Sequence, residues 1–111
     1  MRQKGALLAL SALAQESRLA IFRLLVRTGP GGLVVGRIAE TLEIPAATLS
    51  FHLKALARGG LVTQRQEGRF VRYAADFEAM HGLIDYLSEN CCGDTAAACA
   101  PPSPQIREES P

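Results

Sequence analysis

The first 90 residues of this 111-residue chain contain no cysteine; Cys91, Cys92 and Cys99 crowd into the stretch that follows. An odd count with two cysteines adjacent is a poor disulfide framework for a small secreted domain. In a reducing compartment such a cluster binds metal or reacts as thiols, the plain alternative being incidental cysteines in a loose tail. Long apolar runs are missing too. None approaches the roughly 18 residues that a spanning helix needs, which argues against a membrane-embedded helical protein. Paired catalytic acids, a nucleophile–base constellation and a phosphate-cradling glycine loop are all lacking, so an enzyme is not expected. Net charge is nearly absent as well, at +1 from 12 Lys+Arg and 11 Asp+Glu, and taken alone that argues against a nucleic-acid binder.

The charge that is present is unevenly placed. Residues 1–75 hold 11 Lys+Arg against 4 Asp+Glu, a net +7, whereas residues 76–111 hold 1 against 7, a net −6. A basic body with an acidic end suggests a nucleic-acid surface joined to a separate module. With 48% apolar residues the chain can build one core.

The N-terminus imitates a secretory signal: a basic start, an apolar stretch over residues 5–14, and Ala12-Leu13-Ala14 as a small-x-small site. The apolar pattern nevertheless continues past that point through Leu19, Ile21, Phe22, Leu24, Leu25 and Val26. An amphipathic helix with Leu7, Leu10, Leu13 and Ala14 on one side explains the same residues. A cytoplasmic protein is therefore expected, with a secreted, cleaved chain as the alternative.

The pattern predicts helices over residues 5–14 and 17–28, the second ended by Gly29-Pro30-Gly31-Gly32. A third helix covers residues 33–42 after a short lead-in at Val34 and Val35. Pro45 suits the first position of a fourth helix, residues 46–58, which stops at Gly59-Gly60. Two β-prone runs, residues 61–65 and 69–75, flank Gln66-Glu67-Gly68 as a hairpin. Asp76 then caps a fifth helix with Met80, Leu83, Ile84 and Leu87 at helical spacing. The expected fold is mainly α with a β-hairpin wing, a winged helix-turn-helix, with a DNA-binding and dimerisation domain over residues 1–90 and a tail over residues 91–111. The prolines of residues 100–111 read as disorder.

Helices three and four, joined by about three residues, describe a helix-turn-helix. Leu49, Leu53 and Leu56 face the core. On the opposite side a projection leaves Thr48, Phe51, His52 and Ala55, flanked by Ala47, Ser50, Lys54 and Arg58. Ser, Thr and His can hydrogen-bond base edges, Phe51 can pack on a thymine methyl, and Lys54 and Arg58 suit phosphate. A merely solvated helix face is disfavoured by an exposed Phe among cations. His52 as a metal ligand is disfavoured because its neighbours supply no partner ligand. Arg65, Arg69 and Arg72, placed around the hairpin tip, add a second phosphate-binding element.

The segments Thr48-Leu49-Ser50-Phe51-His52-Leu53-Lys54-Ala55-Leu56, Gly60-Leu61-Val62, Glu67-Gly68-Arg69 and Tyr73 resemble the ArsR/SmtB family of metalloregulatory repressors over about residues 7–90. The resemblance implies a homodimeric winged-helix repressor on a palindromic double-stranded operator, released when a metal ion binds. It places the recognition helix at residues 46–58, the wing at residues 61–75 and dimerisation in helices one and five. The near-continuous apolar surface of Ala6, Leu7, Leu8, Leu10 and Leu13 independently asks for two covered faces. The family's arsenic-type site in helix three needs cysteines, and none is present here. Its zinc-type site on the last helix is poorly matched by Asp76, Glu78, His81 and Asp85, which ordinary solvated charge explains better. Cys91, Cys92 and Cys99 remain as a three-thiolate site for a soft ion.

The resulting expectation is an As(III)-responsive repressor, with Sb(III) or methylated trivalent arsenicals as further inducers. The alternatives are a thiol redox sensor, a Cd(II) or Pb(II) sensor of the same fold, and a thiol metal buffer that does not bind DNA.

Overall fold

A computed structural model describes residues 1–93 of the chain. Helices α1 (Gln3–Leu13) and α2 (Glu16–Thr28) are followed by a short strand, β1 (Leu33–Val34), and by helices α3 (Val35–Leu42) and α4 (Ala46–Arg58). Strands β2 (Val62–Glu67) and β3 (Phe70–Ala75) form the hairpin, and α5 (Phe77–Ser88) completes the order. No single helix among the described residues is long and apolar enough to cross a membrane; α1 and α2 meet at 104°.

Each boundary has a local cause. The Gln15 side chain accepts the Arg18 backbone N–H at 2.9 Å, starting α2 one residue before the predicted point. Pro45 stands at the N-cap position of α4 rather than inside its first turn. Asp76 Oδ1 accepts the Ala79 N–H at 3.0 Å and caps α5 as expected.

The sheet order is β1-β3-β2, antiparallel throughout. β1 was not expected: two residues are too few to show alternation, and Leu33 and Val34 pair with Tyr73 and Arg72 only through the fold. Gly32 adjoins this contact with φ +67°, and a Cβ there would run into the Tyr73 carbonyl. The hairpin also differs from expectation. Glu67 pairs with Phe70, so the loop is the two residues Gly68 and Arg69, and Gln66 and Glu67 belong to β2. Gly68, with φ +61°, supplies the left-handed first loop position that a two-residue connection requires.

Ile21, Phe22 and Leu25 of α2, Ile38 of α3, and Leu49, Leu53 and Leu56 of α4 meet Leu61, Val62, Tyr73, Ala75 and Leu83 in the core. α1 joins them through Ala6, Ala9 and Ala12 rather than through its leucines. Small side chains let this helix approach closely. A Cβ on Gly59 would stand 2.7 Å from that of Ala12 and 3.1 Å from the Leu8 carbonyl oxygen, so α1 rests against the end of α4 where only glycine fits. Leu7, Leu8 and Leu10 are left 58%, 53% and 40% exposed, and on α5 Ile84 and Leu87 are likewise exposed.

Candidate nucleic-acid interface and cysteine pair

The outer face of α4 is carried by Ala47, Phe51, Lys54 and Arg58, spaced four, three and four residues apart and all exposed. Thr48 and Ser50 are also exposed, and Ala55 is half-buried. Phe51 is 62% exposed although it is a large apolar residue. Beside it opens a cleft of about 380 Å³ between α1 and α4, with Leu8 and Ala12 on one wall and Ala55 and Arg58 on the other.

His52 does not share this face. It is buried at 8% exposure, and the projection that placed it outside is corrected by the helix geometry itself. Residues 49, 52, 53 and 56 are separated by three, one and three positions and so form one stripe. His52 lies between Leu49 and Leu56 on the core side. Its Nδ1 is 3.3 Å from Arg18 Nη1, and its ring stands edge-on to Phe51 with centroids 5.5 Å apart. The projection set His52 on the outer face although the spacing of the buried stripe points it inward. Arg18, 34 residues away, gave no local signal of this partnership.

The wing arginines are likewise rearranged. Arg65 and Arg72 are directly opposed across the β2–β3 ladder, not clustered at the tip. Two like charges in that relation repel, and Glu67 relieves them. Its carboxylate accepts Arg65 Nη2 at 2.8 Å and Arg72 Nε at 3.0 Å. These bonds, Arg65's foremost, hold the Glu67 carboxyl below its ordinary titration range. Arg72 Nη1 further donates to the Gly31 and Gly32 carbonyls at 3.3 and 3.2 Å, fastening the wing to the α2–β1 loop. Arg69 occupies the turn, exposed, and makes no ion pair among the described residues. The Glu67 clasp could have been read from charge alternation in the strands only if their register had been known.

After α5 the backbone turns sharply: Asn90, Cys92 and Gly93 have φ of 58°, 63° and 59°. Adjacent cysteines in a continuing helix would diverge by roughly 100°. Here the helix has ended, and Cys91 Sγ and Cys92 Sγ lie 3.3 Å apart on the surface. Cys91 is held in a disulfide in this structure, so the two sulfurs could serve as paired soft donors to one thiophilic ion only after its reduction. Cys99 falls outside the described residues. Among those described, no group of three or more His, Cys, Asp and Glu side chains gathers as metal ligands.

Three helices, a basic recognition face and a hairpin wing define a winged helix-turn-helix DNA-binding regulator. Residues 13–65 match the helix-turn-helix domain family. The transcriptional activator HlyU of Vibrio cholerae is 34% identical over 87 residues, 78% of each chain. A solved structure of reduced HlyU has a TM-score of 0.61 at 33% identity, covering 80% of this chain and 90% of that one. The arsenical resistance operon repressor of Bacillus subtilis is 33% identical over 81 residues, 73% of each chain. A homodimeric winged helix-turn-helix DNA-binding domain from Mycobacterium bovis matches with a TM-score of 0.62 at 30% identity, covering 78% and 81% of the two chains. The chain belongs to the ArsR family of transcriptional regulators and is not an enzyme.

Proposed function

We propose that this ArsR-family regulator is an As(III)-responsive repressor that binds a palindromic operator as a homodimer. In this reading Ala47, Thr48, Ser50, Phe51, Lys54 and Arg58 of α4 meet the major groove, while Arg69 and, on exchange of Glu67 for phosphate, Arg65 and Arg72 meet the backbone. His52 acts from behind this surface. Two copies of α4 would enter successive major grooves about 34 Å apart. The exposed leucines of α1 and the exposed Ile84 and Leu87 of α5 suit the dimer contact, and the homodimeric relative supports that assembly. Residues 1–90 would form the DNA-binding and dimerisation domain and residues 91–111 the sensing tail.

What supports the arsenic reading is the crowding of Cys91 and Cys92 just past the end of the proposed dimer helix, their sulfurs 3.3 Å apart, the ligand set forming once the Cys91 disulfide is reduced. Cys99 would supply the third thiolate of a pyramidal As(III) site, with its lone pair in the fourth direction. Sb(III) and methylated trivalent arsenicals share that preference for sulfur. Release then requires As(III) to favour the DNA-free arrangement, a coupling of typically 1–3 kcal/mol. The test titrates arsenite into protein bound to an operator selected from a random duplex pool. Wild type should release the DNA and Cys91→Ser should hold it; equal release by both rejects the site.

A second reading is favoured by the same sulfurs and by the likeness to HlyU, which is known in a reduced form. Thiol oxidation rather than metal binding would then be the signal. Release by peroxide in the absence of any metalloid distinguishes it.

A further inference from the structure

His52 is the one buried polar side chain among the described residues, and the recognition surface does not use it. Arginine carries donors and no acceptor, so the 3.3 Å contact between Arg18 Nη1 and His52 Nδ1 is donated by Arg18 into the Nδ1 lone pair. Arg18 is itself fixed at two further points. Its Nε donates to the Ala12 carbonyl oxygen of α1 at 2.7 Å, and its backbone N–H is held by Gln15 at the α1–α2 junction. One guanidinium thus ties the end of α1 to the middle of α4. Phe51, the most exposed apolar group of the recognition face, leans edge-on against the imidazole that this guanidinium holds.

We propose that Arg18 and His52 are a positioning pair for DNA binding: they set the rotation of α4 relative to α1 and the orientation of Phe51 upon it, without touching DNA. The inference rests on the proposed reading of α4 as the recognition helix. It follows from the geometry because the α1 atoms nearest Gly59 at the end of α4 are the Ala12 methyl and the Leu8 carbonyl oxygen, whose van der Waals contact is non-directional. The Arg18–His52 bond supplies a directional contact at this junction. Apolar packing is non-directional, whereas a hydrogen bond with a fixed acceptor atom discriminates between rotations.

The experiment is a double-mutant cycle in operator affinity on the full chain, at a temperature where circular dichroism shows every variant folded. Arg18→Met and His52→Phe keep volume and remove the bond. Each should weaken operator binding about tenfold, or about 1.4 kcal/mol, and the double variant should be no weaker than either single. His52→Asn, whose amide oxygen stands near the position of Nδ1, should restore affinity to within about threefold of wild type. The nitrogen chemical shifts of His52 should report the Nε2–H tautomer. A merely structural role would let the losses multiply to about a hundredfold in the double variant and would leave Asn no better than Phe; either result, or an Nδ1–H tautomer, overturns the proposal. Phe51→Ala separates the two failures. If it leaves affinity unchanged, the reading of α4 falls and the pair falls with it. If it weakens binding while the Arg18 and His52 variants do not, only the pair is rejected.

Discussion

Phe51 and Leu53 are two positions apart on α4 and answer to different constraints. Leu53 is 1% exposed between the other buried leucines of the helix, so Leu53→Ala leaves a cavity the surroundings fill only in part. The expected cost is about 2–5 kcal/mol of folding free energy, measured by urea denaturation. Phe51, at 62% exposure, gives up little on truncation: Phe51→Ala should change stability by no more than about 0.5 kcal/mol while weakening operator binding and leaving arsenite uptake unaltered. A matched loss of stability and DNA affinity would instead make Phe51 a folding residue. The leucine stripe and the exposed Phe were legible in the sequence because both follow from helical spacing. His52 was not, since the projection set it on the outer face despite its position in the stripe. Its justification is a partner brought close only by tertiary structure.

At the scale of the elements, the wing shows why residue type can be read sooner than register. Its arginines were visible as a basic set, but a one-residue shift in the turn decides which of them stand opposite each other. In the observed register Glu67 holds Arg65 and Arg72, leaving Arg69 as the wing cation outside the clasp. Arg69→Ala should weaken binding alike on all DNA sequences and flatten the slope of log K against log salt by about 0.9, if it neutralises one phosphate. Glu67→Gln should strengthen DNA binding irrespective of sequence, because the two arginines no longer exchange a carboxylate for phosphate. The clasp also has a pH signature. A carboxyl lowered in the folded state stabilises the fold fully above its unfolded value of 4.5 and loses that contribution as pH falls through the lower folded value. Carbon NMR titration of the Glu67 carboxyl should therefore give a midpoint below 4.5, moving upward in an Arg65→Ala variant. An unmoved midpoint would place the cause elsewhere.

Across the whole molecule, the near-zero net charge is an average over two opposed parts, +7 over residues 1–75 and −6 over residues 76–111. The recognition helix and wing lie in the basic part, and α5 and the cysteines in the acidic part. The five-helix order was readable from periodicity and helix punctuation, and the role of α1 only partly so. Its apolar surface suggested a need for two covered faces, and the chain's own core takes the alanines and leaves the leucines exposed. A stable dimer needs roughly 800 Å² from each partner with an apolar centre, and neither exposed α1 nor exposed α5 is explained by the single chain. Leu87 makes a clean probe, because it is 61% exposed and contributes little to the isolated fold. Leu87→Glu adds a charge to an acidic region that would face its own copy across a two-fold axis, so each dimer would bury two repelling carboxylates. Sedimentation equilibrium should show the wild type as a dimer and the variant shifted toward monomer, with an unchanged far-ultraviolet circular dichroism spectrum. Operator affinity should fall in step, because one recognition helix alone reads only a half-site. A variant that remains dimeric and binds DNA normally would remove Leu87 from the interface and leave the α1 leucines to carry it.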